Sequence, residues 1–481
     1  MKKLFLAGCM AVMMLAISIF VAQNMFAQST TSGDIAGTVT DPSGAVLAGV
    51  NVVLKNAANG ATQTTKTGGA GSYRFAFLGT GRYEVSVSAT GFLESKRFVD
   101  VQIGQVLTAD IQMSLASATQ TVEVTEHATL IQNENGNLAT TISTLQLENL
   151  AAPGNDMTSY ALTAPGVTVS TGGGYGNFSA FGLPGVANLF TINGNDNMDP
   201  YLNLNNSGAS NLTLGANEIQ EAAVVLNGYT GQYGRQAGAQ VNYVTKSGSN
   251  AFHGNAQWYW NGAKLNANDW FNNASDPATP RPHAVSNEWA DSVSGPIVKN
   301  KLFFFFDNEG LRYVLPSGGP VYIPTTDFAS FVLNNLKATN SPAVPLYTTA
   351  FNLYANSSGS GRATPVTKAI DDQLGCGDFT GTAGYGVTKP CAATFQSTVN
   401  NLNTEWLLAT RVDYNITNSD RVYFRYNTDH GVQATGTDPI NPAFNANSVQ
   451  PSYGGQAGWT KSIGASMVNQ LLLSASYYTA I

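Results

Sequence analysis

Charge is what this sequence has least of. Its 481 residues carry 23 Lys and Arg and 30 Asp and Glu, so charged residues make up 11%, against roughly 25% in ordinary soluble proteins. The net charge of −7 comes with no basic cluster, which excludes a nucleic-acid partner. Catalytic signatures are missing too. The four histidines, His127, His253, His283 and His430, are scattered and form no H-E-x-x-H; there is no G-x-S-x-G elbow and no P-loop. The glycine run 171–185 lacks the strand-loop-helix setting of a phosphate cradle. No enzyme, cofactor or metal centre is expected. Asp196 and Asp199 sit among amides, but without the spaced carboxylates and closing Glu of a calcium loop. Beyond residue 27 no long apolar run remains, so any passage through a membrane must be made by strands.

The N-terminus reads as an export signal over residues 1–27. Lys2 and Lys3 precede an apolar stretch from Leu4 to Ala22, and Ala27 offers the small residue of a cleavage site. An uncleaved anchor is the rival reading of that stretch. Without the signal two cysteines remain, Cys376 and Cys391, with no histidine near either. In an oxidising compartment they are expected to form a disulfide.

What is plentiful is glycine, 49 residues, with 10% aromatics and many short alternating segments. Residues 33–115 read as about seven short strands separated by turns such as "DPSG" at 41–44, the spacing of a β-sandwich. "GTVTDPSGAVLAGVNVVL" with "GSYRFAFLGTGRYEVSVSATGF" resembles the carboxypeptidase-regulatory-like domain, of transthyretin-like and carbohydrate-binding-like fold. That resemblance brings nothing catalytic. Sugar binding is open to the fold, although no exposed Trp or Tyr cluster marks it here.

Residues 118–128 contain Thr121, Val122, Glu123, Val124 and Thr125, a β-prone string that by itself reads as a last sandwich strand or a linker. The following segment, 129–250, is more distinctive. Two short helices are expected at "STLQLENLA" and "NDMTSYALTAPGV", the second capped by Asn155 and stopped by Pro165. A strand then runs into an Asn193-Gly194 turn. This order resembles the plug domain of TonB-dependent outer-membrane receptors. Pro165, Gly166 and Val167 match its Pro-Gly-Val, and Tyr233, Gly234, Gly238, Val244, Thr245 and Lys246 match its closing motif. Ala222, Ala223 and "LNGY" depart from the usual pattern and, with the N-terminal module, point to the Oar-like subgroup. The resemblance implies that residues 121–125 are a TonB box, a strand free to add to the sheet of a periplasmic TonB-type partner.

From residue 251 to 481 strands alternate apolar with polar, separated in turn by tight turns and long polar loops, the pattern of an outer-membrane barrel. Trp258 and Trp260 oppose Asn255 and Gln257; Trp406, Val412 and Tyr414 oppose Arg411 and Asp413; Phe424 and Tyr426 oppose Arg421 and Arg425. Segments 264–283, 315–402 and 432–451 are expected as long outward loops. About seven strands are legible, whereas the resemblance implies a host barrel of about 22, so the chain is expected to be part of one. The run Phe303–Phe306 is expected to give one face to the membrane girdle and the other to the plug, with Asp307 and Glu309 near water. The reading is a mainly β protein of sandwich, α/β plug and partial transmembrane antiparallel barrel. It would sit in the outer membrane of a Gram-negative bacterium, its N-terminal domain periplasmic, carrying a large solute such as a glycan, peptide or metal chelate. A barrel-anchored adhesin or secretion-associated protein is the alternative.

Overall fold

The computed structural model describes residues 30–479 apart from 117–121, 125–136, 151–155, 170–177, 202, 206–207, 211, 228–232, 275–277, 279–280, 317–318, 368–372, 398–399 and 464–466. The chain forms three successive bodies of sheet.

The first is a sandwich. One sheet holds β1 (Gly33–Thr40), β4 (Ser72–Leu78), β7 (Val106–Thr108) and β8 (Ile111–Gln112). The other runs β3 (Thr62–Lys66), β2 (Asn51–Asn56), β5 (Gly81–Ser88), β6 (Ser95–Val101) and β9 (Val122–Val124). Period-two alternation puts Ile35, Val39, Val52, Leu54, Val85 and Val87 in the shared core. Gly37 is required by packing, since a Cβ there would lie 2.2 Å from the Ala109 carbonyl oxygen.

A central domain follows, its sheet ordered β10 (Leu138–Ile142), β15 (Ile219–Asn227), β16 (Gln240–Thr245), β13 (Leu189–Ile192) and β14 (Asn195–Asp196). A separate hairpin pairs β11 (Val167–Val169) with β12 (Phe178–Ala180). Helix α1 (Thr144–Asn149) opens on a capping box in which Gln146 answers Ser143. The second expected helix is a 3₁₀ helix, Met157–Thr163, capped by Asp156 and not Asn155, which lies outside the described residues. The Asp156 carboxylate accepts from the Thr158 amide at 2.9 Å, while burial raises its pKa. Asn193 and Gly194 both take positive φ, 50° and 81°, the two-residue turn the Asn-Gly pair suits.

The third body is a long antiparallel sheet: β17 (His253–Gly262), β18 (Val285–Val298), β19 (Leu302–Pro316), β23 (Asn400–Asn415), β24 (Asp420–Gly436), β26 (Ser452–Ile463) and β27 (Met467–Tyr478). A short strand, β25 (Ala446–Val449), pairs with β24. Among the described residues β17 and β27 form its two edges and no sheet closes. Its faces separate as the alternation requires. Trp258, Trp406, Phe424, Leu473 and Tyr477 are exposed on one, and Glu309, Leu311, Glu405, Leu407 and Arg425 are buried on the other. The phenylalanines divide likewise: Phe303 and Phe305 are buried, and Phe306 is exposed.

Two expectations change here. The segment expected as one long polar loop, 315–402, is folded. Strands β20 (Pro320–Pro324), β21 (Thr364–Pro365) and β22 (Ala392–Gln396) form a small sheet beside helices α2 (Thr326–Ala338) and α3 (Val344–Ala355). Thr325 caps α2 by accepting from the Phe328 amide at 3.2 Å, and Phe328, Phe331, Phe379 and Tyr385 pack ring on ring. Asp307 and Glu309, expected near water, are 0% and 1% exposed. They face the central domain, whose amides replace water.

Candidate functional site

The buried face of the long sheet meets the central domain along a polar seam. The segment 208–218, which leads into β15, supplies backbone amides, and the sheet supplies carboxylates. The Glu309 carboxylate accepts from the amides of Gly215 at 3.1 Å and Asn217 at 2.6 Å. Asp307 accepts from the Asn217 side chain at 2.6 Å, and Glu405 from the Ser210 amide at 2.5 Å. The Arg425 guanidinium donates through Nε and Nη2 to Glu218, the Nε bond measuring 3.0 Å, with both side chains 3% exposed. Among the described residues a small apolar cluster accompanies this seam, Leu214 with Leu311, Leu407 and Ala409, flanked by Leu212 and Tyr313. The interface is therefore directional, held by hydrogen bonds and one buried ion pair.

The expected motif residues fall into distinct places. Asn193 and Thr245 are brought together. The Asn193 amide donates to Thr245 Oγ1 at 3.0 Å and to Gln456 on the sheet at 3.1 Å. Arg411 donates to Thr245 Oγ1 at 2.8 Å. Gly194 approaches Thr31 and Leu472, with each a little over 3 Å from where its Cβ would stand. Val244 pairs with Glu221 in register, and Lys246 bridges to Glu148 at 3.3 Å. Gly238 is forced, since a Cβ would meet Asn188 Oδ1 at 2.5 Å. Pro165 follows the 3₁₀ helix, while Gly166 takes φ 86° under the Phe181 ring and Val167 is buried. Tyr233 stands with its hydroxyl beside Gly104 of the sandwich, and Gly234 meets no neighbour that would demand glycine. Cys376 and Cys391 are joined, with Cα atoms 5.0 Å apart, far along the chain in the folded segment between β19 and β23.

Of the five residues 121–125, Thr121 and Thr125 lie outside the described residues. Val122–Val124 form β9, which is paired and not free: it lies parallel to β6, with Ser95, Lys96 and Arg97 opposite Val122, Glu123 and Val124. A three-residue β-prone segment next to an open sheet edge satisfies its backbone there.

The sandwich also touches the central domain. The Ile103 amide donates to Glu221 at 3.3 Å, and burial pushes that carboxyl up to about 8. Gln105 donates to Thr141 at 3.5 Å. Against the long sheet, the Asn250 amide donates to the Ala58 carbonyl at 2.9 Å, and Asn250 and Asn300 exchange two hydrogen bonds of 2.8 Å. Between the three bodies lies a cavity of about 700 Å³ lined by Asn56, Thr144, Lys246, Asn250 and Ser294 among others. Neither the Glu218–Arg425 pair nor the Glu221 contact was anticipated. Their only sequence signal is a carboxylate inside an otherwise neutral strand or its approach.

The chain matches the family described as Outer membrane beta barrel domain over residues 244–481, and the Carboxypeptidase regulatory-like domain over 34–114. It is 25% identical to the TonB-dependent transporter Oar of Myxococcus xanthus over 292 residues, 58% of this chain and 26% of that protein. Residues 244–481 are thus similar to an outer-membrane β-barrel domain, preceded by a module similar to the carboxypeptidase regulatory-like domain. The chain spans about a quarter of the length of the curated relative it matches. Among solved structures it is similar to a mutant of the ferric enterobactin receptor PfeA from Pseudomonas aeruginosa, at 11% identity, a TM-score of 0.40, and coverage of 71% of this chain and 41% of that one. The outer membrane transporter YddB from Escherichia coli gives 10% identity and a TM-score of 0.43, covering 70% and 38%. The chain joins a sandwich, a central domain and a barrel sheet, and its place is the Gram-negative outer membrane.

Proposed function

We propose that this Oar-like chain belongs to a gated, energy-coupled transporter of a large solute such as a glycan, peptide or metal chelate. The central domain is its plug, and residues 121–125 are the segment on which a periplasmic TonB-type partner acts. The observation that carries this reading is the seam. A domain meant to stay in place would be fixed by a broad apolar contact, whereas this one is held to the wall by Glu309, Glu405 and the Glu218–Arg425 pair. Hydrogen bonds of that kind can be exchanged for water as the domain shifts. The side of the long sheet with the tight turns, where Asn250 bonds both Asn300 and Ala58 of the sandwich, carries the sandwich. Short turns face the periplasm in such barrels, so the sandwich and β9 face a periplasmic partner.

The test is energised uptake, across a panel of glycans, peptides and metal chelates, in a strain lacking the protein and complemented with its full-length form. Val124→Pro removes a backbone donor from the coupling strand. It should abolish uptake at unchanged surface level, and full transport by that variant overturns the reading.

A surface-binding role is the second reading. It is favoured by the folded segment 320–397, which exposes Tyr322, Leu346 and Tyr347 at the long-loop end of the sheet. Cell attachment that survives Val124→Pro would support it.

A further inference from the structure

At the far side of the sandwich, β3 is the last strand of its sheet, with β2 as its neighbour. The β2–β3 register sets Val52 against Thr65 and Val53 against Thr64, without a bulge. Beyond its two ends the Asn56 amide donates to the Ala61 carbonyl at 2.8 Å and the Thr67 amide to the Val50 carbonyl at 3.0 Å. Antiparallel bonding alternates along a strand, so these two bonds fix its phase. Gln63 and Thr65 bond β2, whereas Thr62, Thr64 and Lys66 turn their N–H and C=O groups away from it. Such an edge accepts a further strand unless something blunts it. β3 holds no proline and no bulge, its one charge stands at its end, and Thr64 and Lys66 are exposed.

The edge opens on a cleft of about 1320 Å³, larger than the roughly 300–1,000 Å³ of small-molecule pockets. Facing β3 across it are β4, an edge strand of the other sandwich sheet, the tight barrel turn 417–419, and Met467 and Val468 of β27. These walls decide the shape of an occupant. A second copy offering its own β3 would bring its own barrel turn into them, whereas a slender extended segment can lie beside β3. Charge decides its sign. Among the described residues lining the cleft Lys66 and Arg74 are charged and none is acidic, in a chain with 23 bases and 30 acids. Arg74 is paired with Asp34, so Lys66 sets the preference. We propose that the β3 edge is the docking site for an extended, acidic polypeptide segment of a partner on the tight-turn side of the long sheet. The segment adds to the sandwich as a further strand. Main-chain bonds to Thr62, Thr64 and Lys66 supply the affinity, and the Lys66 ammonium favours carboxylates.

The test is binding of dye-labelled synthetic peptides to the purified full-length protein, read by fluorescence anisotropy. An alternating Glu-Val peptide should bind, and the same peptide with its backbone amides N-methylated should bind about tenfold more weakly or worse. An alternating Lys-Val peptide should also bind less well, and Lys66→Glu should reverse that order. Thr64→Pro removes an outward N–H without taking a bond from β2. It should weaken the Glu-Val peptide about tenfold, while hydrogen exchange at the Val52 and Leu54 amides stays as in the unaltered protein. If that exchange rises, the charge reversal by Lys66→Glu and the methylated peptide decide. A photoreactive group at the peptide's centre should label residues 62–66. Equal binding of the methylated peptide, or binding untouched by both variants, overturns the proposal, as does a label confined to other strands. If no peptide binds and Thr64→Pro instead splits a dimer, the edge belongs to a second copy and the proposal falls.

Discussion

Arg425 of β24 and Glu218 at the entry to β15 form a buried ion pair, each side chain 3% exposed, across the junction between barrel sheet and central domain. Arg425 also donates to Asn427 at 2.9 Å, so its orientation is set from its own strand.

Removing one partner of such a pair leaves an uncompensated buried charge, a loss of about 3–5 kcal/mol. Arg425→Ala should therefore loosen the central domain without unfolding the barrel sheet. The expected result is sensitivity to large antibiotics that the outer membrane normally excludes, with normal surface amount. Arg425→Met combined with Glu218→Leu should leak less than Arg425→Ala, because neither charge is then stranded. Equal leakage from the two would show that the pair does not hold the domain.

Glu221 ties sandwich docking to pH. Its folded-state pKa is raised to about 8, so the docked form binds a proton that the freely solvated carboxyl releases near 4.3. The stability of docking is full below that lower value and is lost as pH rises through about 8. Exchange of the Ile103 amide, measured by mass spectrometry, should accelerate between pH 5 and 9 beyond the intrinsic trend. Glu221→Gln should flatten that excess. An unaltered pH profile in the Gln variant would exclude Glu221 as its source.

The Cys376–Cys391 bond closes a loop with a sequence separation of 15, worth about 3 kcal/mol in the chain-entropy account. Cys391→Ser should make the segment 320–397 protease-sensitive on intact cells while the amount of protein at the surface is unchanged. Resistance equal to the unaltered protein would mean that the ring cluster around Phe328 and Tyr385 suffices alone.

Gly310 faces Trp289 across the β18–β19 ladder, and a Cβ there would lie 2.1 Å from the indole. The ring lies over the glycine, its Nε1 donating to Asn308 at 3.1 Å. Gly310→Val should displace Trp289 and reduce the heat-modifiable form of the full-length protein on a gel. Full assembly would show that the indole has another place to go.

Much of the architecture was legible because it rests on period and turn chemistry. Alternation along Trp406–Ile416 and Arg421–Tyr426 sorted the lipid-side from the inner residues, since consecutive strand side chains must point oppositely. Asn193-Gly194 announced its turn because few residues accept two positive φ angles in succession. The segment 315–402 reads as loop because its polar composition masks helices α2 and α3. The capping Thr325 with Asp327 was the signal available there.

Local pattern determined the strands, their faces, the sandwich core and the cysteine pairing, because each depends on neighbours in sequence or on compartment. Only the tertiary structure decided the fates of Asp307, Glu309 and Val122–Val124. A carboxylate in a strand reads as solvated until another body offers amides from far away in sequence, as Gly215 and Asn217 do for Glu309. Residues 121–125 read by themselves as a last sandwich strand or a linker, and the edge of β6 decides for the strand over Val122–Val124. In both cases the deciding partner lies far off in sequence, and long-range pairing leaves no periodic trace along the chain.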